Sequence, residues 1–364
     1  MALPTTTTRR QFIQTLSLGA GALILPSFLS RSRKDKLGIA LVGLGYYSTD
    51  LLAPALQQTR HCYLAGIVTG SPWKIPVWQK QYGIPSQNVY NYQNFDAIAD
   101  NPDIDIVYVV LPTSMHSEYC VRAANAGKHV FCEKPMARTA AECEAAIKAC
   151  RDNKVSLALG YRMQHEPNTQ EVIRIGRERV FGKPTLVKAS AGYYDGRHDH
   201  WKQKKEMGGG AMYDMGVYPL NAARYCVGEE PLAVTRASHS TQRPEIYTEV
   251  DETTHFELEF PGGARAECAT SLGMSMNDLH VTYTGGWVRL SPFQSYSGIR
   301  GEASDGRRFD ARIPNQQAKQ MDDDALAIME SRPLLAPGEE GLRDIGIVEA
   351  IYEAARTGAR VVID

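Results

Sequence analysis

Three side chains of complementary chemistry stand out in the 364-residue chain. Lys134 lies in the stretch Glu133-Lys134-Pro135, and Asp214 and Tyr218 lie four apart within GGGAMYDMGVYPLNAARY. Together they supply a cation, a carboxylate and a phenol. That set suits removal of the proton from a hemiacetal hydroxyl while hydride leaves the same carbon. A phenol of ordinary pKa, about 10, is a poor base at neutral pH, so a nearby ammonium must favour its ionised form, and a carboxylate can orient either partner. In the reverse direction the phenol protonates a carbonyl oxygen as hydride returns. Taken singly, a lysine is usually solvated and a helical tyrosine usually half-buried core, so the elements that would bring the three together decide the matter.

From Leu37 to about Gly160, the apolar runs LGIALV, CYLAGIV, DIVYVVL, HVFCEKP and VSLALGY alternate with helical patterns. This is the βαβ rhythm of a doubly wound parallel sheet in an α/β fold. Thr139 and Glu142 have capping-box spacing ahead of the helical AAECEAAIKACRDN. Lys134 follows one of these strands, at the carboxyl ends where parallel sheets form their ligand crevice. Pro135 restricts Lys134 to extended backbone and is compatible with a cis bond. From about Tyr161 the alternating strands THFELEF, ARAECATSL and LHVTYTG predict an antiparallel sheet and a second domain. Helices around Ala318–Glu330 and Gly341–Arg356 close the chain. Asp214 and Tyr218 are expected on one face of the helix that the triple glycine introduces. The expected division is a dinucleotide-binding domain at 37–160 and a second domain at 161–364.

Gly43-Leu44-Gly45-Tyr46-Tyr47-Ser48 follows the first apolar strand and opens a helix, so backbone N–H groups there would face a pyrophosphate. Gly43 permits the tight turn and Gly45 the close approach; Ser48 takes the third fingerprint position. The second strand, CYLAGIV, runs into Thr69-Gly70-Ser71 with Lys74 just after. A hydroxyl and a cation stand where an NAD enzyme usually places an acid, which favours a ribose 2'-phosphate and hence NADP. A plain strand-turn-helix with a solvated lysine is the bland alternative.

Ahead of this domain, TTTTRRQFIQTLSLGAGALIL places Arg9 and Arg10 before a short apolar run, the pattern of a twin-arginine export signal over residues 1–30, with a basic linker at 31–36. A periplasmic location follows as an expectation. The formal net charge of −1 suggests neither nucleic acid nor an anionic surface, and no other segment looks membrane-spanning. Seven cysteines without a C-x-x-C pair argue against a zinc site or disulfide framework and for buried thiols. No metal is expected.

The stretches GLGYYS, LPTSMHSEY, AGKHVFCEKPMA, GYRMQHEP, GGGAMYDMGVYPLNAARY and PGEEGLRDIGIVEAIYEAARTG resemble the glucose-fructose oxidoreductase family, within the wider superfamily that includes inositol dehydrogenases. The likeness runs from about Lys36 to the last residues. It implies a Rossmann domain followed by an α+β domain with a large, open-faced, mostly antiparallel sheet. It also implies catalytic roles for Lys134, Asp214 and Tyr218, with Tyr218 standing where many superfamily dehydrogenases carry His. Thr69 and Lys74 match positions around the 2'-phosphate, and Gly43, Gly45, Tyr46 and Tyr47 the pyrophosphate turn. Tyr92, Pro112, His116, Glu133, Arg162, Trp201 and Lys202 match positions lining the cofactor. The family also implies sugar substrates and a homo-oligomer, dimer or tetramer.

Export and a dinucleotide site together constrain the kinetics. With association near ~10⁶ M⁻¹s⁻¹, a micromolar site empties in about a second, whereas a picomolar one holds for days. An exported enzyme is therefore expected to carry NADP captive and to recycle it between two sugars, oxidising an aldose to its lactone and reducing a ketose or second aldose to an alditol. The alternatives are an exported NAD-dependent glycosidase, a non-catalytic dinucleotide sensor, and a sugar dehydrogenase with exchangeable NADP.

Overall fold

The computed structural model describes residues 34–363, so the twin-arginine segment and the first part of the basic linker lie outside the described residues. Two sheets organise the chain. The first contains β1 (Leu37–Val42), β2 (Cys62–Val68), β3 (Val89–Tyr90), β4 (Ile106–Val109), β5 (His129–Cys132) and β6 (Leu157–Leu159). They pair in the order β3-β2-β1-β4-β5-β6, all parallel. The order reverses direction between β1 and β4, the switch point at which such sheets hold ligands. β1 is buried along its whole length, as a strand covered on both faces must be.

Four helices follow the strands in this part: α1 (Ala53–Leu56), α2 (Ile75–Tyr82), α3 (His116–Asn125) and α4 (Ala140–Asp152). At the start of α4 the Thr139 hydroxyl accepts from Glu142 N–H at 3.2 Å. The reciprocal bond of a full capping box is replaced, because the Glu142 carboxylate takes the Arg138 N–H and the Arg138 guanidinium instead.

The second sheet has nine strands: β7 (Pro184–Gly192), β8 (Ala233–Ser240), β9 (Thr253–Glu259), β10 (Arg265–Ser271), β11 (Met276–Tyr283), β12 (Gly286–Leu290), β13 (Gly301–Ala303), β14 (Arg308–Phe309) and β15 (Val361–Val362). Every pairing is antiparallel except β7 with β10. The helices here are α5 (Pro167–Arg177), α6 (Val217–Val227), α7 (Gln316–Met329) and α8 (Gly338–Thr357).

Residues 161–364, read from the sequence as one second domain, do not all stay with the second sheet. Ala318, Met321 and Ala325 of α7 pack with Leu41, Ile67, Tyr108 and Phe131 of the first. The chain thus crosses back, and α7 fastens the two parts together. The remaining apolar core runs continuously from the other face of the first sheet into the second. All seven cysteines are buried and free, as buried thiols should be. Among the described residues no helix is long and apolar enough to cross a membrane, and no cluster of metal-ligating side chains occurs.

Candidate active site

A single cavity of about 1420 Å³ lies at the carboxyl ends of the first sheet and reaches across to the second. All sixteen residues singled out from the sequence line it: Lys134, Asp214, Tyr218, Gly43, Gly45, Tyr46, Tyr47, Thr69, Lys74, Tyr92, Pro112, His116, Glu133, Arg162, Trp201 and Lys202. They differ in what their polar atoms do there.

Gly43 adopts φ +90°, and a Cβ on it would sit 2.4 Å from the Val110 carbonyl oxygen. Only glycine suits both the conformation and the close approach of β1 to the end of β4. A Cβ on Gly45 would meet nothing within 4 Å, so this residue opens onto free space. The Ser48 hydroxyl donates to the Gly43 carbonyl at 2.6 Å and holds the turn. The helix expected after the turn begins as a π-turn, Tyr47–Leu52, before the single α-turn of α1. Extended i→i+5 bonding is common at functional sites, and nothing in residue spacing announces it. The Lys74 ammonium reaches over the turn to the Leu44 carbonyl at 2.5 Å, and the Thr69 hydroxyl accepts from Ser71 N–H at 3.0 Å. Tyr92 closes on Gly70, where a Cβ would lie 2.8 Å from its ring.

A dinucleotide fits this arrangement on observations of the chain itself. The glycine turn leaves space at the switch point, and the end of β2 carries a hydroxyl and an ammonium in place of an acid. Pro112 lies on the loop that leaves β4. His116 contributes shape alone, since its Nδ1 faces the Pro135 carbonyl at 2.8 Å and its Nε2 the Leu111 carbonyl at 2.8 Å. Burial pushes its pKa down. Glu133 is buried, accepts from the Tyr108 hydroxyl at 2.7 Å, and has its pKa raised by burial. Gly160 makes room for it, because a Cβ there would meet the Glu133 carboxylate at 2.7 Å.

The Lys134–Pro135 bond is cis. Lys134 Nζ sits 4.6 Å from the centroid of the Tyr218 ring, a cation on the face of a phenol. Its second contact corrects a simple picture of the trio, for the ammonium donates at 2.7 Å to the backbone carbonyl of Asp214 rather than to its carboxylate. Burial would lower the Lys134 pKa, yet Tyr218, Asp214 and Glu133 together raise it, so the group stays charged. The Asp214 carboxylate faces Lys202, with Nζ 2.7 Å from Oδ1 and 2.8 Å from Oδ2, and accepts from the Tyr193 hydroxyl at 2.9 Å. Burial pushes the Asp214 pKa up, but Lys202 and Lys134 more than offset it and hold the value down at about 2.

Asp214 and Tyr218 line the same cavity from one continuous helical stretch, as expected, although that stretch is not a regular α-helix at Asp214. Asp214 lies in a π-turn, Met212–Gly216, and Tyr218 near the start of α6. Asp251 fixes this entry by accepting from Met212 N–H at 2.9 Å, while Gly210 adopts φ +107° where a Cβ would strike the Asp251 carboxylate.

Arg162, expected to line the cofactor, is 2% exposed and sits between two phenols, 5.6 Å from the Tyr218 ring and 4.7 Å from that of Tyr296. Its Nη1 donates to the Ser295 carbonyl at 2.9 Å and to Gln316 Oε1 at 2.6 Å. Trp201 packs beside Lys202, 5.8 Å from Nζ to ring centroid. Sequence reasoning missed Tyr193, Arg197, His200, Asn277 and Tyr296, which also line the cavity. A signal for three of them existed in AGYYDGRHDHWK, a polar and aromatic run between an apolar strand and the triple glycine.

This fold and site define a dinucleotide-dependent oxidoreductase. Residues 37–161 match the family described as oxidoreductase family, NAD-binding Rossmann fold, and residues 169–289 match the GFO/IDH/MocA C-terminal domain. The chain belongs to the GFO/IDH/MocA oxidoreductase family. Among solved structures it is similar to aldose-aldose oxidoreductase from Caulobacter crescentus, with 41% identity, a TM-score of 0.87, and coverage of 90% of this chain and 99% of that one. Among curated relatives it is 28% identical to D-xylose 1-dehydrogenase [NADP(+)] of Haloarcula marismortui over 339 residues, 89% of this chain and 92% of the relative. A 3-ketoreductase from Actinomadura kijaniata, in complex with NADP and TDP-benzene, shares the fold at 22% identity and TM-score 0.76, covering 89% of this chain and 98% of that one.

Proposed function

We propose that the protein is an NADP-dependent sugar oxidoreductase that holds its cofactor through successive turnovers and passes hydride from one sugar to another. The observation that carries this reading is the Lys134 ammonium, 4.6 Å from the Tyr218 ring and bonded to the Asp214 carbonyl at the carboxyl ends of a parallel sheet. When bound, NADP supplies a two-electron acceptor that takes hydride from C1 of an aldose and gives it to the carbonyl carbon of a second sugar. The cofactor would be held by the glycine turn Gly43–Tyr47, with Thr69 and Lys74 at the 2'-phosphate.

Tyr218 takes the C1 hydroxyl proton as the aldose becomes its lactone, and returns a proton to the carbonyl oxygen of the second sugar as that becomes an alditol. Lys134 and Arg162, 4.6 and 5.6 Å from the Tyr218 ring, supply positive charge that favours the negative charge developing on the phenol oxygen. Asp214 holds both ammonium groups, one through its carboxylate and one through its carbonyl. Fructose or another aldose is the acceptor of choice in this scheme, by likeness to the glucose-fructose family and to the aldose-aldose oxidoreductase.

The twin-arginine pattern gives captivity its purpose, since an exported enzyme has no pool of free NADP to draw on; the protein is accordingly proposed to be periplasmic. A homo-oligomer is part of the same reading. The Tyr218→Phe variant should retain bound NADP while its single-turnover reduction by glucose slows by about 10²–10⁴-fold. Near-normal reduction in that variant would remove Tyr218 from the mechanism, and release of a chromogenic aglycone from a glycoside would favour the glycosidase instead.

A further inference from the structure

The first sheet and its glycine turn supply only one wall of the cavity. A site that retains a dinucleotide through many turnovers needs a contact from the opposite wall as well. We infer that Tyr296, carried by the loop between β12 and β13 of the second sheet, is a cofactor-retaining residue: with Arg162 it bridges the cavity beside the nicotinamide half of the dinucleotide and sets how slowly that ligand leaves. The inference rests on the reading above that NADP occupies this cavity.

An unbroken series of ring and cation contacts supports it. The Tyr296 ring lies 6.1 Å from that of Tyr47 in the glycine turn. The Arg162 guanidinium is 4.7 Å from the Tyr296 ring and 5.6 Å from the Tyr218 ring, and Lys134 Nζ is 4.6 Å from the latter. All five residues line the cavity. The series therefore runs from the turn that receives the pyrophosphate to the lysine and tyrosine at the reacting end, and Tyr296 is its member from the second sheet's loop.

The loop is built to hold that position. Asn277 of β11 accepts from the Phe293 and Gln294 N–H groups, both at 2.9 Å, and donates to the Gln294 carbonyl at 2.6 Å and the Ser295 hydroxyl at 3.2 Å. Phe293 is buried at the base of the loop. From the other side Arg162, itself fixed by Gln316 of α7, donates to the Ser295 carbonyl. The Tyr296 side chain is thus presented from an anchored backbone, yet it stays 44% exposed. Its ring meets both walls, at Tyr47 of the glycine turn and at Arg162, while one edge stays in water. The competing account is a packing contact that stabilises the two sheets and leaves ligand release untouched.

Dissociation of NADP separates the two accounts. Full-length wild type, Tyr296→Ala and Tyr296→Phe are loaded with NADP, and bound NADP is chased with an excess of the fluorescent etheno analogue. Alanine should release NADP about ten- to a hundredfold faster than wild type, the loss expected for one aromatic pair and one cation–π contact, while phenylalanine releases it at close to the wild-type rate. Equal release rates in all three proteins would overturn the inference, as would a phenylalanine variant as leaky as alanine, since the bridge is made by the ring. The absolute rate in wild type is a separate readout: release within seconds would defeat the captive-cofactor reading, and the ratio between variants would still decide the role of Tyr296.

Discussion

Replacing Lys202 by methionine isolates the electrostatics on which the site depends. Asp214 is buried and would by that alone be hard to ionise, yet its pKa falls from 3.8 to about 2 because Lys202 and Lys134 face it. A carboxyl lowered by that much on folding contributes on the order of 2–3 kcal/mol to stability. The two side chains are 21% and 12% exposed, so solvent screening removes little of this. The sign follows from the depressed value: the contribution is complete above the unfolded pKa near 4 and is lost as pH falls through about 2. In Lys202→Met the carboxylate keeps its burial and loses its nearest cation. The variant should be about 3 kcal/mol less stable than wild type at pH 7, the cost of stranding one member of a buried pair. That gap should narrow toward pH 4, because acid neutralises Asp214 in the variant while the wild-type carboxylate remains ionised. Urea unfolding at the two pH values, followed by tryptophan fluorescence, measures both quantities. A gap that is absent, or unchanged between pH 7 and pH 4, would refute the argument.

Two further outcomes follow from the cofactor side. Lys74→Ala removes the ammonium that reaches over the glycine turn to the Leu44 carbonyl, and should cost about ten- to a hundredfold in NADP affinity with little change for NAD; titration of the apoprotein with each dinucleotide checks the ratio. Gly43→Ala should abolish cofactor retention, since a Cβ at φ +90° would stand 2.4 Å from the Val110 carbonyl, and the absorbance of the purified protein reports the loss directly.

Much of the first sheet was legible because its longer strands are almost entirely buried and therefore written as apolar runs. LGIALV and CYLAGIV coincide residue for residue with β1 and β2. β3 was not, being two residues long. Alternation identified β9, β10 and β11, but a period of two is silent on direction, so the parallel pairing of β7 with β10 could not be read from it. The return of α7 to the first sheet depends on contacts such as Gln320 with the Tyr108 hydroxyl, 212 positions apart, which no local pattern encodes. The structure gives the stretch PGEEG its reason. Gly338 and Gly341 let α8 approach Leu157 and Leu159 of β6, while Glu340 accepts from Gln164, Asn221 and Arg224.

In the site, residue types were informative and pairings were not. The ammonium, carboxylate and phenol were evident, and the cavity gathers them. That Lys202 rather than Lys134 meets the Asp214 carboxylate follows from the fold of residues 193–214, where the chain passes through a series of 3₁₀ turns and a π-turn with no sequence period of their own.

The most direct test of the central claim uses the purified protein with no added cofactor, after prolonged dialysis, and records its near-ultraviolet spectrum as glucose and then fructose are added. The account predicts that reduced-nicotinamide absorbance appears with the first sugar and disappears with the second. A spectrum that changes only when free NADP is supplied would contradict it.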